Sequence, residues 1–174
     1  MHASRKRSVM AVLGIKIRRA FHEGIEQVAG MTPKEEKELL LRVVTKLAGQ
    51  QLEKGGFIPF GATLGSKCDV QLLMPKSMKQ DVTKDELDAY WVRTLRQAVA
   101  TGECKTVCSC TDVHVQANEG LLVSAVLVHV EHVDIFSEDI LYPYRKDEGS
   151  GVVFGEPTSE ATEYQIFTTP RELS

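Results

Sequence analysis

The stretch Gly55-Gly56-Phe57-Ile58-Pro59-Phe60-Gly61-Ala62-Thr63-Leu64 (GGFIPFGATL) joins a helical pattern to a strand pattern, and its reading decides the fold. Upstream, Thr32-Pro33-Lys34-Glu35 has the form of a helix start. Thr32 can cap, Pro33 suits the first helical position, and Glu35 completes a capping box. Leu39, Leu40, Val43, Val44, Leu47 and Leu52 then recur at helical spacing, which predicts a helix over 33–54. Lys54-Gly55-Gly56 ends it with glycines that tolerate positive φ. Downstream, Phe57, Ile58, Phe60, Ala62 and Leu64 favour a strand. Pro59 lacks a donor and suits a strand start or an edge. Gly61 marks a bulge or close packing against a helix. A strand, not a helix, follows the glycines, so the stretch opens a sheet and is not a phosphate loop.

Working outward, Gly65-Ser66-Lys67 reads as a hairpin loop and Cys68 to Met74 as the returning strand. Thr83-Lys84-Asp85-Glu86 is a second capping box. Leu87, Tyr90, Trp91, Leu95 and Val99 follow it, and Gly102 closes that helix. Val107 to Gln116 is a strand, Asn118-Glu119-Gly120 its turn, and Leu121 to Phe136 a long partner. Ser137-Glu138-Asp139 reads as the next turn, before a strand over Ile140 to Tyr144. Val152 to Phe154 and Tyr164 to Phe167 read as short strands around a polar loop at 147–151. The expected fold is α+β in the order α-β-β-α-β-β-β. It has an antiparallel sheet of about five strands, with two main helices on one face.

The order resembles that of roadblock, longin and profilin-like domains, and more broadly that of type III secretion chaperones. A closer resemblance rests on particular residues: PFGATL after a helix, a capped helix around Trp91, the CTDVHV strand, LYPYRKDEG, and FGEP ahead of a final Ile166-Phe167. In these the chain resembles an uncharacterised family of small bacterial α+β proteins, over roughly residues 33–167. The resemblance implies the fold and brings no activity, cofactor or catalytic residue with it.

The chain of 174 residues is long enough for one domain with a real core. Its 43% hydrophobic and 26% charged residues are ordinary for a globular protein, and no apolar run reaches the length of a membrane span. Charge is unevenly spread. Residues 1–30 carry +4 and the remainder −7, for a net −3. The sequence divides into a basic N-terminal extension over 1–30 (a helix or an arm), one α+β domain over 31–167, and a frayed tail over 168–174. In the extension, IKIRR stands where a secretory signal would need small residues, so secretion is not expected. Four cysteines in such a chain do not make a disulfide scaffold, and reduced thiols in a cytoplasm are expected.

Candidate chemistry is thin. On an unbroken strand Cys104, Cys108, Cys110 and His114 share one face. The C-x-C spacing lacks a second pair, and a strand would hold Cys108 and His114 roughly 20 Å apart. The candidates for a metal, Cys108, Cys110 and His129, are therefore weak against burial of the cysteines as small hydrophobes. His129-Val130-Glu131-His132 invites comparison with zinc-protease motifs, but those need a helix, and this run is β-branched. His129 and Glu131 then share a face that His132 does not. Gly149 to Gly155 matches neither a P-loop nor a dinucleotide fingerprint, and no G-x-S-x-G elbow occurs. Cys68, beside Lys67, is the least buried thiol by pattern and has no nameable base.

No catalytic residue and no cofactor are expected. The function expected is a non-catalytic protein-binding or self-associating module, with a homodimer as one form, its basic Arg5, Lys6, Arg7, Arg18 and Arg19 meeting an acidic partner. One alternative is a small-molecule or metal-binding protein, or an enzyme, centred on Cys108, Cys110, Asp112, His114, His129 and Glu131. A second is nucleic-acid binding through the arm, which has little aromatic interleaving.

Overall fold

The computed structural model describes residues 12–17 (backbone course only), 30–76, 81–149 and 151–167. The elements run β1 (Val12–Ile17), α1 (Pro33–Glu53), β2 (Phe60–Gly65), β3 (Val70–Pro75), α2 (Lys84–Val99), β4 (Cys104–Gln116), β5 (Leu122–His132), β6 (Phe136–Asp147), β7 (Gly151–Phe154) and β8 (Thr158–Ala161). The fold is α+β. All strands pair antiparallel in the order β1-β3-β2-β4-β5-β6-β7, and β8 also lies along β6.

Both capping boxes form. Thr32 and Thr83 accept from the amides of Glu35 and Glu86, whose carboxylates return to the cap amides. The apolar stripe of α1 buries Leu40, Val44, Ala48 and Leu52. They meet Phe60, Ala62 and Leu64 of β2, Cys108 and Cys110 of β4, and Val126, Val128 and Val130 of β5. Thr106 donates to Glu36 at 2.5 Å, and Lys37 meets Glu138 at 3.0 Å, fixing the same helix to the sheet.

The second helix packs on the opposite face, not on the expected one. Tyr90, Trp91 and Leu95 join Leu73, Val107, Ile166 and Phe167 in a separate core. The period-two alternation of β2 explains why. Phe60, Ala62 and Leu64 point to α1, leaving Gly61 and Thr63 for α2. Gly61 is the contact that lets α2 in: a Cβ there would stand 3.0 Å from Trp91 Cζ3 and 3.3 Å from Leu95 Cδ2. Of its two expected roles, close packing against a helix is the one that holds.

Several boundaries differ from the sequence reading. Pro59 precedes β2, and the long strand expected to reach Phe136 stops at His132. The chain turns at 133–135, and Ser137-Glu138-Asp139, expected as a turn, lies inside β6. Backbone bonding sets this turn: Val133 N–H donates to Lys105 O at 2.9 Å and Asp134 N–H to His132 Nδ1 at 3.2 Å. Residues 164–167 are not a strand, whereas 158–161 are. Within the N-terminal extension, residues 12–17 form β1 and pair with β3 from Val12↔Pro75 to Ile17↔Val70, so this part belongs to the sheet and is no helix. Arg5, Lys6, Arg7, Arg18, Arg19 and the tail lie outside the described residues.

The FGEP motif also has a structural role. Phe154 pairs with Tyr144 and Thr158 with Leu141, so three residues, 155–157, stand opposite two, 142 and 143. This is a bulge in an edge strand. Gly155 N–H donates to Pro143 O at 2.8 Å, and a Cβ on Gly155 would lie 3.3 Å from Pro143 Cγ.

Candidate functional site

The α2 face of the sheet carries the one cluster that joins several ionisable groups at short range in a buried setting, among the described residues. The register pairs His129 with Ser109 on one side and Asp139 on the other. All three therefore look away from Cys108 and Cys110. His129 is enclosed by two carboxylates: Nδ1 lies 2.6 Å from Asp139 Oδ1, and Nε2 lies 2.8 Å from Glu131 Oε1. With an acceptor at each nitrogen, the imidazolium form donates both protons. Burial alone would lower the His129 pKa. The hydrogen bonds and charges of Asp139 and Glu131 overcome it and raise the value to about 9.

Glu131 is fully buried. Its carboxylate accepts from the amides of Gln165 at 2.6 Å and of Ile166 and Phe167 at 3.0 Å, besides His129. Burial would raise its pKa, yet the imidazolium and the three amides hold it below the usual range. Three consecutive N–H groups closing on one carboxylate form an anion nest, here filled by the protein's own side chain. Arg96 Nε donates to Gln165 O at 2.8 Å and ties the same segment to α2.

The arrangement spends its polar atoms on structure. His129 has no free nitrogen to act as a base, and Glu131 has donors on both oxygens. Asp139, about two-fifths exposed, is the member that reaches solvent. It lines two adjoining hollows that share Leu127. One, of about 130 Å³, lies between α2 and the sheet and includes Asp88, Trp91, Ser109 and Thr111. The other, of about 460 Å³, is open and runs over Leu141 to Thr158, Ser159 and Glu160 of β8. Together they make a groove in which Leu127 and Leu141 lie among polar side chains that include Asp88, Asp139 and Glu160.

The other sequence candidates fall elsewhere. Cys108 and Cys110 are completely buried against α1, on the opposite face from His129, so no single metal could take all three. Burial pushes the Cys108 thiol up to about 12 and raises that of Cys110 as well. Asp112 accepts from the Tyr144 hydroxyl at 3.0 Å, and His114 Nδ1 lies 3.3 Å from Ser124 Oγ. The expected Cys, Asp and His constellation is thus divided between two faces. His132 turns toward α1, with Nε2 at 3.8 Å from Glu36, and burial lowers its pKa. Asp139 and the amides at 165–167 were not legible as site residues. The first sat in an expected turn, and backbone donors leave no side-chain signature.

No metal-binding group of three or more side chains occurs among the described residues, and none of their helices is long and apolar enough to cross a membrane. No family model matches the chain, and neither curated proteins nor solved structures give a significant match.

Proposed function

We propose that this chain is a non-catalytic module of the cytoplasm that binds protein and associates with itself, as a homodimer. The observation that carries the reading is the groove on the α2 face. Its floor is apolar at Leu127 and Leu141, and it stands open beside a polar cluster whose own groups are already paired. β5 supports it. Residues 121–130, Leu-Leu-Val-Ser-Ala-Val-Leu-Val-His-Val, are apolar on both faces, as in strands that are covered on both sides. On one side α1 supplies the cover, and on the other α2 packs chiefly on β2 and β4 and leaves Leu127 partly exposed. Leu121 and Leu122 at the hairpin end are about 70% exposed, Leu122 on the α1 side by the alternation of β5. The bulge at 155–157 blunts the neighbouring edge, which argues for binding through the α2 face and not through an added strand.

Light scattering after size exclusion, from low to high micromolar concentration, tests the reading. The native chain is expected as a dimer and Leu127→Glu as a monomer with an unchanged circular dichroism spectrum. A native chain that stays monomeric throughout would overturn it.

A further inference from the structure

We infer that the groove receives the basic N-terminal segment of a second copy, Arg5-Lys6-Arg7, so that the dimer is an exchange of arms. This rests on the self-associating reading and names the segment that does the binding.

Charge is the first argument. Lys84 and Asp88 face the groove from α2, His129 from β5, Asp139 from β6 and Glu160 from β8, with the buried Glu131 behind His129. Two cations against four carboxylates leave a net −2. Lys84 sits 3.4 Å from Asp88 and is offset by it, and His129 is enclosed by its two carboxylates. What remains available is acidic: Asp139, whose second oxygen has no hydrogen-bond partner among the described residues, and Glu160, exposed on β8. Facing this, the chain offers three consecutive cations at Arg5-Lys6-Arg7. A groove that sets Leu127 and Leu141 among acidic side chains selects an extended basic segment whose stems lie on the leucines while their heads meet the carboxylates.

Reach is the second argument, and it selects the copy. β1 begins at Val12 on the far edge of the sheet. From β1 to β6 the path crosses β3, β2, β4 and β5, about 24 Å at about 4.8 Å per strand. Arg7 and Arg5 precede Val12 by five and seven positions, which span at most about 17 and 24 Å fully extended. α2 also stands on β2 and β4, in the way of a direct route across that face. A chain's own arm would therefore have to run taut and straight past α2 to bring even Arg5 to Asp139, whereas the arm of a two-fold partner has no such limit.

A charge swap tests the inference on the full chain. One variant carries Arg5→Glu, Lys6→Glu and Arg7→Glu, the other Asp88→Lys and Glu160→Lys. Both leave the His129 cluster untouched, and their melting temperatures establish that they fold. The native chain is expected to dimerise, with an affinity that falls about tenfold or more from low to high salt. Each variant alone is expected to be monomeric, and an equimolar mixture is expected to restore a dimer of one of each, read by native mass spectrometry. If the native chain dimerises and the arm variant dimerises as well, the exchange is wrong while self-association stands. If both variants are monomeric and the mixture stays so, the pairing of arm and groove is wrong. A monomeric native chain overturns both.

Discussion

His129 and Glu131 stand two positions apart on β5, point to the same side of the sheet, and meet at 2.8 Å through Nε2 and Oε1. Glu131 is the more dependent partner. It has no solvent contact, and its charge is offset by one imidazolium and three amides. Replacing it by Ala leaves those amides unpaired in the interior and His129 with Asp139 alone. The expected loss is about 3–5 kcal/mol, read by denaturant unfolding. Glu131→Gln should be damaging too, since its amide group brings donors to a site that supplies only donors.

The same pair sets a pH dependence. The His129 pKa lies near 9 in the fold against 6.5 for the ordinary side chain, so the folded chain holds that proton more tightly. Its contribution is fully present below pH 6.5 and is lost as pH rises through about 9. Glu131, held below 4.5, contributes above pH 4.5 and is lost as pH falls through its lower folded value. His132, lowered by burial, adds a penalty as pH falls below 6.5. The melting-temperature gap between native chain and His129→Gln isolates the first effect. It is expected to be wide near pH 6 and to shrink steadily between pH 6.5 and above 9.

Gly61→Ala probes the opposed helices. The new methyl would stand 3.0–3.3 Å from Trp91 and Leu95, both buried and unable to move freely. Overpacking of this kind costs about 1–3 kcal/mol, so the thermal midpoint should fall and Trp91 fluorescence should shift. An unchanged midpoint would mean that α2 rides less tightly on β2 than its contacts indicate.

The cysteines divide into two classes. Cys108 and Cys110 are buried with raised pKa values, while Cys68 and Cys104 are partly exposed. A small thiol reagent followed by mass spectrometry should label Cys68 first and leave Cys108 and Cys110 unmodified until the chain unfolds. Early labelling of Cys108 would contradict the packing of α1 on β4.

Local signals carried the two helices and the first hairpin. Thr32 and Thr83 with their glutamates announce both caps, and Gly55 ends α1 with φ of +83°. The turn after His132 was not legible, because Val133-Asp134-Ile135 holds no glycine or proline and is bent by bonds to Lys105 and His132. That error moved Asp139 from strand to turn and hid its place opposite His129. The side on which α2 lies was decided by an absence of side chain at Gly61, which a pattern of apolar residues does not display. His129 and Glu131 were visible as a same-face pair, and what holds Glu131 was not, because its donors are main-chain groups of residues 165–167.

The anion nest has a consequence for the order in which the chain is made. Glu131 is synthesised thirty-four residues before Gln165, the first amide that will hold it, and thirty-six before Phe167. Between those moments β5 carries a carboxylate destined for the interior with its main-chain clamps still missing. The α2 side of the sheet is therefore expected to close only once residues 165–167 are available, and a truncation ahead of Gln165 to leave that face open.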